Sequence, residues 1–440
     1  MSSLEVGLLS VVAIVILVYI GFYVAVALAL VSLLSVWYLR GDFMIAQSLL
    51  ISSAEESISN YVLGVIPLFV LMGLLVSESD IAKDSYEVAN RVFARVRGGL
   101  GIATVAANTV FAAVTGVSIA SAAVFTKVSL PEMLRYGYHP RFAVGVVAGS
   151  SVLGMLIPPS VLLIIYAILA EQSVGTMFIA GVVPGLLLAG CYCVLILGMA
   201  YLAPHSVYRD GKPSPIPAAE AGVPILWALR KLFPAVLLIA LVIGGIYGGI
   251  FTATEAGGAG AAVTLVIAVL RRKLSLSGFW KLIKETGNIT ATILILVVGA
   301  TLYSRMLGIS GLPTQLGTWV NHVKLSLPMI LVVFLVIVLL LGTIIDSISI
   351  ILITVPLFLP LLKPFGVDLV WFGIITVVAV EIGLLTPPFG ISVFVVKSSL
   401  KDKDISLADI FIGSAPFAVT MFLVVLLLIA FPILSTVLIK

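Results

Sequence analysis

The sequence predicts an all-α polytopic membrane protein of two inverted repeats, with about ten transmembrane helices and two re-entrant helical hairpins. Three observations predict it. Of the 440 residues, 61% are hydrophobic and 10% charged, against the roughly 25% charge of a soluble domain. Apolar runs long enough to span a bilayer recur along the whole chain. Finally, two of these runs are broken in the middle by adjacent prolines, in the stretches 150–160 and 381–390. The two stretches match at an offset of 229 residues: Gly154 with Gly383, Pro158 with Pro387 and Pro159 with Pro388, and upstream Pro131 with Pro360 and Gly137 with Gly366.

The Pro-Pro pairs carry a specific consequence. Each proline lacks an N–H and crowds the carbonyl four residues back, so carbonyls near Gly383 and Thr386 lose their partners where no water replaces them. Such a break survives where it lines a cavity or holds an ion. Paired broken helices in corresponding halves are the sequence signature of a secondary carrier with its site at the bilayer midplane.

Taken in order, spans are expected near 4–20, 22–39, 62–78, 142–170, 177–203, 232–248, 251–270, 287–305, 370–396 and 412–438. The N-terminal stretch has no basic region or small-residue cleavage site, so the first run is expected to be retained. The runs 98–128 and 327–362 are too long for one crossing and contain small and polar residues midway. Each is expected to form a re-entrant hairpin, with tips at Thr115-Gly116-Val117-Ser118 and Gly342-Thr343-Ile344-Ile345-Asp346-Ser347; two full crossings would need longer arms.

Charge orients these elements. With the N-terminus outside, 19 of the 24 Lys and Arg residues fall in cytoplasmic loops, and only Arg40, Arg305, Lys324, Lys363 and Lys440 lie outside. The first repeat is then 1–203, with hairpin 98–128 and broken helix 142–170. The second is 232–440, with hairpin 327–362 and broken helix 370–396, and 204–231, rich in Pro, Gly and charge, is a cytoplasmic linker. Five crossings per half invert the second copy, so the hairpins enter from opposite sides. Segment 40–60 is too polar to span; its Phe43, Ile45, Leu49 and Leu50 suggest an interfacial helix or an extramembrane loop helix. Segment 271–286, with Trp280 and five basic residues, reads as interfacial on the cytoplasmic side.

No soluble-enzyme chemistry stands out. Cys191 and Cys193 lie in an apolar run with no second pair and read as packing residues. His139, His205 and His322 are placed in loops, and no nucleophile triad, transition-metal spacing or phosphate-binding glycine loop occurs. The net charge of +4 reflects loop topology and implies no nucleic-acid partner. Three acidic residues fall within apolar surroundings: Glu255, Asp346 and Glu381. Glu255 follows a helix start, where its charge suits the dipole. Asp346 is assigned an ion or substrate role, with helix capping as the alternative. Glu381 lies on the broken helix and could point either way. Freed carbonyls with Thr115, Ser118, Thr386 and Asp346 offer oxygen ligands suited to sodium, although proton coupling through Asp346 or Glu381 is also physically open. Helix N-termini at the tips suit an anionic group, which makes Ser118, Asp346 and Ser347 the candidate substrate contacts.

Several motifs together resemble the large membrane subunit of tripartite ATP-independent periplasmic (TRAP) transporters. They are Phe111-Ala112-Ala113-Val114-Thr115-Gly116 with Ser118, Leu130-Pro131-Glu132-Met133, 154–159, Phe251-Thr252-Ala253-Thr254-Glu255-Ala256, 341–346 and 382–390, and the resemblance covers nearly the whole chain. It implies an elevator-type, sodium-driven carrier of a small organic acid in the bacterial inner membrane, not an enzyme, with no cofactor beyond the coupling ion Na+. The implied partners are a periplasmic substrate-binding protein, a small membrane subunit of about four helices and the lipid bilayer. Carried onto matching positions, one sodium site would use Gly342, Gly383, Thr386 and Phe389, and the other Thr115, Gly154, Ile157 and Ser160. The family often has a serine directly after the first hairpin glycine, where this chain has Val117 and then Ser118. A one-component sodium/dicarboxylate symporter shares the inverted-hairpin plan, but its Ser-Asn-Thr signatures are missing: Asn108-Thr109 precedes the first tip, and the second hairpin has no Asn. A membrane-embedded enzyme would need a nucleophile, base or metal set that is not seen.

Overall fold

The computed structural model describes residues 2–212, 224–400 and 404–439, and all of its regular elements are helices. Among the described residues, eight helices are long and apolar enough to cross a membrane, or nine if the bent pair Pro140–Leu156 and Val161–Leu169 counts as one span. The difference from ten is a matter of segment length. Val24–Arg40 has 17 residues, and the expected span 370–396 is divided into Leu369–Gly383 and Ile391–Ser399. Conversely, Ser347–Phe365, expected as a hairpin arm, is long enough to count.

Both hairpins form where expected. Gly99–Thr115 turns into Ser118–Val128, and Leu327–Gly342 turns into Ser347–Leu362. The connections that follow repeat as well. Gly137 and Gly366 both have positive φ, and the residues two further on, His139 and Asp368, cap the helices Pro140–Ser151 and Leu369–Gly383 through their side chains. Each of those helices then breaks at its Pro-Pro pair, whose peptide bond is cis in both cases.

Three expectations need correction. Segment 271–286 is not a separate interfacial piece: Leu276–Ser310 is one continuous helix of 35 residues. The stretches before the two hairpins are not loops but amphipathic helices, Ile81–Phe93 and Leu312–Val323, so His322 is helical. His205 lies in the short helix Pro204–Val207, the structured start of the linker. There Tyr208 pairs with Tyr138, and residues 213–223 of the linker lie outside the described residues, as do Lys401, Lys403 and Lys440 of the charge argument. Segment 40–60 is the helix Phe43–Ser59, packed on Val24–Arg40 and Leu276–Ser310 and joined to the latter by a Glu56–Arg305 ion pair.

Packing sorts the helices into two groups. The hairpins and broken helices pack with Val174–Leu202 and Leu407–Ala430, and elements of the two halves interleave. Pro140–Ser151 crosses Leu407–Ala430 so closely that a Cβ on Gly145 would run into the Gly413 carbonyl, a small-residue crossing typical of membrane helices. Ser3–Ile20, Val24–Arg40, Phe43–Ser59, Tyr61–Glu78, Ala253–Leu270 and Leu276–Ser310 pack on one another as the second group. Ile81–Phe93 packs on the first hairpin and Leu312–Val323 on the second, so each amphipathic helix ties one hairpin to the outer helices.

Candidate functional site

At the first tip, Gly99–Thr115 ends at Gly116, whose φ of 70° is left-handed. Only glycine fits there, because the Pro159 carbonyl occupies the space a Cβ would need. The Val161 N–H donates to the Gly116 carbonyl at 3.4 Å. A Cβ on Gly154 would lie 3.0 Å from the Val117 carbonyl and the Ser118 nitrogen. The tip therefore rests directly on the break. Ser160 caps Val161–Leu169 by accepting from the Leu163 N–H at 3.3 Å, and its hydroxyl donates to the Met155 carbonyl. Thr115 donates its hydroxyl proton to the Phe111 carbonyl at 2.8 Å, which leaves the hydroxyl lone pairs and its own carbonyl as oxygen ligands. Ile157 belongs to the same break, but its side chain packs on Gly185. Residues 151–160 are all buried.

The second tip meets its break differently. Gly342 and Gly383 touch backbone to backbone: a Cβ on Gly342 would sit 2.7 Å from the Gly383 Cα. The Phe389 N–H donates to the Thr343 carbonyl at 3.2 Å. Thr386 Oγ1 donates to the carbonyls of Gly383 at 3.0 Å and Ile382 at 3.2 Å; the first of these is the oxygen that Pro387 leaves without its α-helical donor. Gly342, Gly383, Thr386 and the Phe389 backbone thus converge. Unlike the first break, this one is open: Pro387 and Pro388 are exposed and Phe389 is 56% exposed.

The three acidic candidates separate on geometry. Glu255 forms a capping box with Thr252 at the start of Ala253–Leu270, a structural role. Asp346 caps Ser347–Leu362, accepting from the Ser349 N–H at 3.1 Å and from the Ser349 hydroxyl. Glu381 is fully buried, and its Oε1 accepts from the Ser347 hydroxyl at 3.0 Å. Of the candidate substrate contacts, Ser118 and Ser347 face this carboxylate from the two tips, whereas the Asp346 side chain is turned to its own helix.

Sequence reasoning missed Gly73, in Tyr61–Glu78, where a Cβ would lie 2.6 Å from the Thr115 carbonyl. This is where the outer helices press on the first tip. An isolated glycine in an apolar run was the only signal.

Known proteins match this architecture. A family model described as the tripartite ATP-independent periplasmic transporter, DctM component, matches residues 11–434. The C4-dicarboxylate TRAP transporter large permease protein DctM of Pseudomonas aeruginosa is 36% identical over 341 residues, 77% of this chain and 78% of that protein. The sialic acid TRAP transporter large permease protein SiaM of Vibrio cholerae is 31% identical, covering 85% of each chain. The isethionate TRAP transporter permease protein DctMQ of Oleidesulfovibrio alaskensis is 30% identical over 78% of this chain, which spans 53% of that protein. Among solved structures, the YdaH transporter of Alcanivorax borkumensis, described as having an unusual topology, superposes with a TM-score of 0.61 at 16% identity, over 87% of this chain and 88% of that one. At that identity the likeness is one of fold.

Proposed function

Because the chain belongs to the DctM-component family of tripartite ATP-independent periplasmic transporters, whose named relatives are permeases rather than enzymes, we propose that it is the large membrane subunit of a sodium-coupled importer of a small organic acid. The substrate is delivered by a periplasmic binding protein, and a small membrane subunit completes the carrier in the bacterial inner membrane. The observation that carries this reading is the contact of Gly342 with Gly383, which brings a hairpin tip onto a helix break where carbonyls lack helical partners.

Sodium, a hard cation, takes oxygen ligands. One site uses Gly342, Gly383, Thr386 and Phe389, and the other Thr115, Gly154, Ile157 and Ser160, chiefly through backbone carbonyls. Ser118, Asp346 and Ser347 lie at the starts of the second hairpin arms, where helix dipoles favour an anionic group; Asp346 would act there by exchanging its capping bond for a ligand. The group of hairpins, broken helices, Val174–Leu202 and Leu407–Ala430 moves as an elevator against the outer helices, and sodium favours the substrate-competent state by binding it more tightly. The inverted arrangement of 1–203 and 232–440 is supported by the repeated tips, caps and breaks and by the charge bias. The relatives named for C4-dicarboxylate and sialic acid support an organic acid as cargo, and the DctMQ relative, much longer than this chain, supports a second membrane component.

The test is uptake into proteoliposomes containing the chain and its small subunit, with the sodium gradient and the binding protein varied independently and labelled C4-dicarboxylates and sialic acid as cargo. Uptake that requires both sodium and the binding protein is expected. Uptake without the binding protein would indicate a one-component symporter, and uptake driven by a proton gradient alone would overturn sodium coupling.

A further inference from the structure

Glu381 has no task in the scheme above, yet its surroundings are unusual. Its side chain is fully buried. Oε1 accepts from Ser347, but Oε2 has no hydrogen-bond partner. Ser118 lies beside the same carboxylate, and its fully buried hydroxyl is committed to no other group. Ser118 and Ser347 are repeat equivalents, 229 residues apart, each opening the second arm of its hairpin. A single carboxylate thus faces both tips, with Oε2 and the Ser118 hydroxyl turned to no other group.

Among the described residues no cation balances it. None of the ion pairs among the described residues involves Glu381. Of the helices packed on Leu369–Gly383, Leu327–Gly342, Leu153–Leu156, Ser347–Leu362 and Ile433–Thr436 bring no titratable side chain. From Leu407–Ala430, Asp409 is paired with Arg141. From Val161–Leu169, Tyr166 donates to the Leu369 carbonyl. Asp346 and Asp368 cap their own helices. From Val174–Leu202, Tyr192 is within electrostatic reach of Glu381, and its buried hydroxyl is likewise unpartnered.

A buried unpaired carboxylate in a membrane protein either takes up a proton or holds a cation. The N-termini of the two second arms favour negative charge nearby, but they do not offset the loss of hydration of a full charge. Glu381 Oε2 with hydroxyl oxygens from both tips is an oxygen-only set of the kind a hard cation takes. We propose that Glu381, with Ser118 and Ser347, forms a sodium site between the two hairpin tips, separate from the two carbonyl-lined sites. Oε2 and the Ser118 hydroxyl oxygen are the ligands it offers beside Ser347. Because Ser347 belongs to the second tip, that tip must part from Glu381 to admit or release the cation, so occupancy couples the two tips. Only this last link, to transport, rests on the sodium-coupled reading above.

The test uses the full chain with its small subunit in lipid nanodiscs, as wild type, Glu381→Gln and Ser118→Ala. Saturation binding of radioactive sodium counts ions per chain. Glu381→Gln is expected to bind one ion fewer per chain than wild type, and an equal count would overturn the site. Should that variant not fold, Ser118→Ala is expected to weaken sodium binding about tenfold, and unchanged binding refutes the proposal. The two failures are distinguishable: a wild type that binds sodium with the same count in Glu381→Gln loses this site alone, whereas a wild type that binds no sodium at all defeats the sodium-coupled reading as well.

Discussion

Replacing Gly342 by alanine perturbs the second tip at a single point. The new Cβ would lie 2.7 Å from the Gly383 Cα, whereas carbon atoms rest at about 3.5–4.0 Å. The hairpin and the broken helix must therefore part by roughly 1 Å, because neither contact is the end of a flexible side chain. Overpacking of this kind costs about 1–3 kcal/mol, and each 1.4 kcal/mol is tenfold in an equilibrium constant. Oxygen ligands tolerate displacements of only about 0.2 Å, so the strain falls directly on the sodium site that Gly342 and Gly383 are proposed to share. Sodium affinity is expected to drop by about 5- to 150-fold. Titration calorimetry on the purified protein in nanodiscs reads this, with Gly287→Ala as control: Gly287 is an exposed helix glycine with nothing within 4 Å of its Cβ position. Wild-type sodium affinity in a folded Gly342→Ala protein would refute the reasoning, since the closest backbone contact at the tip would then have no bearing on ion binding.

Other substitutions separate roles that look alike on paper. Asp346→Ala removes an N-cap and should cost about 1 kcal/mol of stability, whereas Asp346→Asn keeps the capping acceptor and should melt like wild type; if Asp346 also contacts substrate or ion, the Asn variant loses uptake despite its normal melting, and full uptake would reduce Asp346 to a cap. Gly73→Ala places a Cβ 2.6 Å from the Thr115 carbonyl and should lower uptake at least fivefold, while Gly64→Ala, whose nearest neighbour would be 3.7 Å away, should leave it unchanged. Asp84 bonds Lys231 at 3.0 Å and Arg271 at 2.7 Å; Asp84→Asn should destabilise by about 1 kcal/mol in thermal unfolding, and the difference should shrink as salt is raised.

The parts of this fold that were legible in the sequence are those set by local backbone constraints. A Pro-Pro pair in an apolar run breaks a helix whatever surrounds it, so both breaks and both tips fall where residues 115–118, 158–159, 342–347 and 387–388 placed them. The amphipathic helices were missed because a search for spanning hydrophobicity passes over them, although Ile81, Ala82, Ser85, Tyr86, Val88 and Ala89 share one buried face at helical spacing. Segment 271–286 misled for a different reason: Lys281 and Lys284 are residues of the kind that gather at a membrane surface, but nothing there ends a helix. In the first copy Asn60 adopts an extended conformation and separates Phe43–Ser59 from the helical turn that follows; the corresponding stretch of Leu276–Ser310 has no such residue in extended backbone and continues unbroken.

Glu381 shows where local reading must fail in principle. The sequence could mark it as an ionisable group at membrane depth, but its direction is decided by packing: one partner, Ser347, comes from its own half, and the other, Ser118, from the opposite half. The same holds for Asp346, where cap and ligand are identical in composition and only the bond to Ser349 tells them apart. The two tips therefore started from one plan and were finished unequally. The first turns on a left-handed glycine and lies sealed against its break, and the second turns on a capping aspartate and leaves its break open. If one tip were as free to move as the other, a symmetric pair of turns would serve. The sealed first tip is expected to keep its amide protons far longer than the second in hydrogen exchange, and equal exchange at Gly116–Ser118 and at 343–347 would contradict that difference.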